Sequence, residues 1–109
     1  MERQLLRQLL AELDPEQYDA SVAEAKAKVV AAKAAVTHAR ASFDEAKLAA
    51  ARSTELAKNG LLSDKELEAA IAAKNRAKAD HESAVANLSI AQATLVAARS
   101  RRSKTLITA

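Results

Sequence analysis

A chain of 109 residues with a net charge of +3 holds at most one small domain. Half of it is hydrophobic (50%), but only 2% is aromatic and alanine dominates the apolar part, which excludes a globular core filled by large side chains. Both charge signs are mixed along the chain, which favours a solvated surface over a nucleic-acid footprint, and no run of about 18 apolar residues is present to cross a membrane.

The chain opens with MERQLLRQLL, which carries charge throughout and lacks a cleavage-site pattern, so it does not read as a signal peptide. An exported parent would therefore make this chain a piece cut from it. Two readings are open for the chain's ends. Residues 7–14 and 103–109 both contain short β-prone stretches, as if strands of a neighbouring domain began and ended there. Alternatively residues 2–13 are helical, since Leu5, Leu6, Leu9, Leu10 and Leu13 then share one face.

Asp14-Pro15-Glu16 predicts a helix start, because Asp can cap the first amides, Pro fits the first helical position and Glu suits the positive end. From there a 4-3 spacing runs through Tyr18, Val22, Ala25, Val29, Ala32, Val36, Ala39, Phe43, Ala46 and Ala50. Such a heptad seam, with large residues on one row and mostly alanine on the other, lets a partner helix approach closely. The helix is expected to end at Lys58-Asn59-Gly60, where the only glycine can take the left-handed conformation.

Ser63-Asp64-Lys65-Glu66 then has the pattern of a capping box, with Leu62 and Leu67 placed as a hydrophobic staple. The second seam reads Leu67, Ala70, Lys74, Ala77, His81, Ala84, Leu88, Ala91, Leu95 and Ala98, with Ile71 and Val85 beside it. Lys74 and His81 are expected to carry their polar ends out of the seam to solvent. One short turn makes the two helices antiparallel neighbours, and its centre sets Val29 near Leu95, Val36 near Leu88 and Phe43 near His81. The expected fold is thus all-α: an antiparallel two-helix coiled-coil hairpin with helices over 15–59 and 63–102, each about 60 Å long at 1.5 Å per residue.

No glycine-rich phosphate loop, nucleophile–base pair or His/Cys/carboxylate cluster with metal-ligand spacing is visible, so neither catalysis nor a cofactor is expected. Arg99, Arg101, Arg102 and Lys104 form one basic cluster. It reads as cations near a helix C-terminus more than as a nucleic-acid or lipid site, since no aromatic residues interleave for base stacking. The corner is more informative. Leu61 and Leu62 stand where a turn needs polar residues, which marks a docking surface, and Arg52, Leu56 and Ser63 span it as R-x3-L-x6-S.

That pattern resembles the tip motif of the periplasmic adaptor (membrane fusion protein) family of tripartite efflux pumps and secretion systems. The flanks are similar too. Residues 8–14 (QLLAELD) look like the family's strand entering the hairpin, followed by its Pro-x-x-Tyr start at Pro15 and Tyr18. Residues 106–109 (LITA) look like the returning strand. Arg7 stands where the family has a glycine, so residues 1–14 are an entering segment that is either a lipoyl-strand remnant or foreign to the family. The resemblance implies a hairpin over 15–102 with its tip at 59–63, excerpted from between the halves of a lipoyl domain, and a strand remnant over 103–109. It further implies that Arg52, Leu56 and Ser63 dock on a TolC-type outer-membrane channel, with Gly60, Leu61 and Leu62 shaping the corner. An inner-membrane transporter of the ABC or RND type would be met through domains absent here, adaptor protomers would self-associate, and the inner-membrane-anchored parent would lie in the periplasm of a Gram-negative bacterium. The competing expectation is a generic structural coiled coil, or a basic helical protein on a membrane or nucleic-acid surface. For that reading the leucine corner has no purpose.

Overall fold

A computed structural model describes the backbone of residues 2–108 and the side chains of residues 3–5 and 16–101. The fold is an antiparallel two-helix hairpin: α1 runs over Glu2–Lys58, α2 over Asp64–Thr108, and residues 59–63 make the connection. The backbone is helical on both flanks, where a strand was the first expectation. The Asp14-Pro15 signal does not start α1, and Arg102 does not end α2. The physical reason lies in the leucine spacing of residues 5–13, whose 3.6-residue period favours helix over an alternating strand. The alternative reading of residues 2–13 is therefore the one observed. Proline inside α1 leaves one backbone carbonyl of the preceding turn without an amide donor, a cost the helix carries.

The helices pack in two compact units, each built from a stretch of both. In the unit formed by residues 1–31 and 89–109, Val22, Ala25 and Ala98 make a buried cluster with Leu95 packed on it. Val29 is buried as well, at 8% exposure. Alanine at two of the cluster's three buried positions brings the backbones together, so the larger Val22 and Leu95 fill the space between.

In the unit formed by residues 32–88, the Phe43 and His81 rings stack with centroids 6.2 Å apart and planes 30° apart. The pairing deduced from the turn centre is thus observed. Ala50 is buried there, and Ala32, Val36, Ala39 and Ala46 of α1 are half-buried. From α2, Leu67, Ala70, Lys74, Ala77, His81, Ala84 and Leu88 are half-buried too. Lys74 and His81 do occupy seam positions. Ile71 and Val85, beside the seam, are exposed at 39% and 41%.

Every residue assigned to either seam is buried or half-buried, but none of the described side chains is fully buried. Two helices offer each seam residue one facing helix only, so the fold gains little apolar burial per residue. Surface charges add little. Lys28–Glu24 at 3.4 Å and Lys58–Glu55 at 3.7 Å are exposed ion pairs one turn apart, worth at most a few tenths of a kcal/mol.

Candidate docking tip

The tip is built by the way α1 stops. Gly60 has φ +73°, a conformation that costs a side-chain-bearing residue about 1 kcal/mol and glycine nothing. The chain turns there, and two backbone bonds close the helix end. The Leu61 N–H donates to the Leu56 carbonyl at 2.8 Å, and the Gly60 N–H donates to the Ala57 carbonyl at 3.1 Å. These are the two bonds of a Schellman motif, and they satisfy carbonyls that the helix leaves open. At the other side of the turn the Ser63 Oγ accepts from the Glu66 N–H at 3.2 Å, and Asp64 and Glu66 sit in the first turn of α2. The serine half of the expected capping box is formed, and two acids complement the positive helix end.

With its backbone so satisfied, the corner does not need an exposed leucine to close the turn. Leu61 is 71% exposed. Leu62, expected both at the exposed corner and in a staple with Leu67, is half-buried, as is Leu67. Of the two corner leucines, only Leu61 is largely exposed. Gly60 and Ser63 are exposed.

Arg52 and Leu56 lie together on α1. Leu48, Ala51, Arg52, Glu55 and Leu56 line one open concave patch on its outer face. Leu48 is 66% exposed and Leu56 42%. The i, i+4, i+8 spacing stacks Leu48, Arg52 and Leu56 one turn above another. Glu55 is engaged by Lys58, whereas Arg52 forms no ion pair among the described residues. Sequence reasoning missed Leu48, because it stands opposite the seam in an alanine-rich stretch. Its one signal was its place a turn before Arg52 and two turns before Leu56.

Ser63 is set apart from that stripe. Its oxygen is engaged in the cap, though its hydroxyl proton remains free to donate. Elsewhere, the basic cluster does not sit where it was expected. With α2 continuing to Thr108, its last turn holds no basic residue, so attraction to the helix end does not account for these cations. Arg99 and Arg101 are exposed, while the side chains of Arg102 and Lys104 lie outside the described residues.

Among the described residues no group of three or more His, Cys, Asp or Glu is placed to hold a metal ion, and no helix is long and apolar enough to cross a membrane. No protein-family model, curated protein or solved structure matches the chain.

Proposed function

We propose that this hairpin is the channel-docking element of a periplasmic adaptor, joining an inner-membrane transporter to a TolC-type outer-membrane channel. The observation that carries the reading is Leu61, a large apolar side chain 71% exposed at a corner whose backbone is already engaged in helix-terminating bonds. Beside it α1 presents Arg52 and Leu56, two residues of the R-x3-L-x6-S pattern, both exposed. Arg52 offers a planar fork of donors to carbonyls or carboxylates of a partner, and the two leucines give apolar area. Gly60 and the Ser63 cap hold the corner that aims Leu61 outward, and Leu62 supports it from within.

In this reading the hairpin works geometrically. Its paired helices carry the tip away from the rest of the adaptor, and the tip meets the channel. The test is equilibrium binding of the chain to a purified TolC-type channel. Leu61→Ser should weaken binding about tenfold or more while leaving the melting temperature within about 1 °C, since the side chain is exposed. Equal affinity for the two proteins would mean that the corner does not dock, leaving the generic coiled coil.

A further inference from the structure

The leucines at the start of α1 are accounted for by neither the hairpin seam nor the tip. In the unit of residues 1–31 and 89–109, Ala98 of α2 clusters with Val22 and Ala25 of α1. At equal rise in the two antiparallel helices, α2 therefore ends at Thr108 opposite about residues 12–15 of α1. The backbone of α1 stays helical back to Glu2, so residues 2–11 have no stretch of α2 beside them. The seam, carried back from Tyr18 at the same 4-3 spacing, falls on Pro15, Ala11, Gln8 and Gln4. Leu5, Leu6, Leu9, Leu10 and Leu13 share a different face, about 160° round the helix from those positions at 3.6 residues per turn. Leu5, the one of them whose side chain is described, is 60% exposed. Even a longer α2 on the same seam would leave this stripe uncovered, and a helix without a neighbour is marginal in water.

We infer that a second copy of this chain covers the stripe, its residues 2–14 running antiparallel to those of the first. Two features of the segment select that occupant. The leucines are self-complementary: with Leu9 and Leu10 at the centre of an antiparallel pair, Leu5 and Leu6 of each copy come level with Leu13 of the other. The charges agree with the same direction. Arg3 and Asp14 stand on one flank of the stripe, near its two ends, and antiparallel helices set like flanks together. Each Arg3 is then level, to within about one turn, with Asp14 of the other copy. A parallel copy would bring Arg3 level with Arg3 and Asp14 with Asp14, and no such pair would form. An anionic lipid surface suits the segment less, because residues 2–14 hold three carboxylates (Glu2, Glu12, Asp14) against two guanidiniums (Arg3, Arg7). The inference does not rest on the docking reading.

Equilibrium sedimentation of the whole chain should show a dimer, and Leu9→Glu should raise its dissociation constant about tenfold or more. A monomer, or a dimer indifferent to Leu9→Glu, overturns the inference and leaves the docking reading untouched. The chain has no cysteine, so introduced cysteines report the direction of pairing. Leu5→Cys and Leu13→Cys copies, mixed and oxidised, should crosslink to each other far more than either does alone. Equally strong crosslinking within each separate preparation would show a parallel pair and overturn the antiparallel one. Arg3→Asp should weaken the dimer, and Asp14→Arg added to it should restore the affinity. A dimer that the double substitution does not restore overturns the pairing of Arg3 with Asp14. Binding of the chain to vesicles of mixed phosphatidylcholine and phosphatidylglycerol, lost in Leu9→Glu, would make a membrane the occupant and overturn the second copy.

Discussion

At the scale of single residues, the tip is decided by the difference between two adjacent leucines. The sequence marks both as out of place in a turn, and its staple pattern already assigns Leu62 a partner in Leu67. Gly60 at φ +73° lets the chain turn, and Leu61 is largely exposed while Leu62 is half-buried. The glycine itself was legible, since a lone Gly after Lys-Asn at the end of an apolar period has few other uses. Its replacement gives a clean prediction. A Cβ built at Gly60 meets nothing within 4 Å, so Gly60→Ala has no clash to relieve and loses only the left-handed preference. Stability measured by urea unfolding should fall by about 1 kcal/mol. A loss several times larger would mean that the turn packs against something, and no loss would mean that the Schellman bonds do not set the chain's path.

At the scale of elements, the seams and the helix ends at the tip were readable, and the outer helix ends were not. Alternating large and small residues at 4-3 spacing identify a buried face wherever they persist, and all of those residues are buried or half-buried in the structure. A start signal such as Asp14-Pro15-Glu16 is local. It says that a helix can begin there, not that one does, and the leucine period over residues 5–13 carries the helix through it. Leu48 escaped because a reading organised around the seam assigns no role to the opposite face. The continuous α1 has a measurable consequence. Pro15 lacks the amide hydrogen that a helix interior uses, so Pro15→Ala should restore one backbone bond and favour the helix by as much as ~3 kcal/mol. Circular dichroism should show higher helicity and a higher melting temperature. Unchanged helicity would mean that α1 begins after residue 15.

At the scale of the whole molecule, the composition sets what the fold can do. Alanine seams let two helices approach closely, and none of the described side chains is fully buried. In the proposed reading the hairpin serves by presenting a surface, the tip with the exposed residues of α1 beside it. The central claim is that this surface docks to a channel, and Arg52→Asp tests it most directly. Arg52 is exposed and forms no ion pair among the described residues, so its reversal should change folding stability by well under ~1 kcal/mol. A partner carboxylate would now meet a like charge, which repels. In a full-length adaptor carrying this hairpin, the proposed reading expects export activity and channel crosslinking to collapse while the melting temperature holds. Full export by a well-folded Arg52→Asp protein would contradict the account, and a parallel loss of export and melting temperature would assign Arg52 to the fold alone.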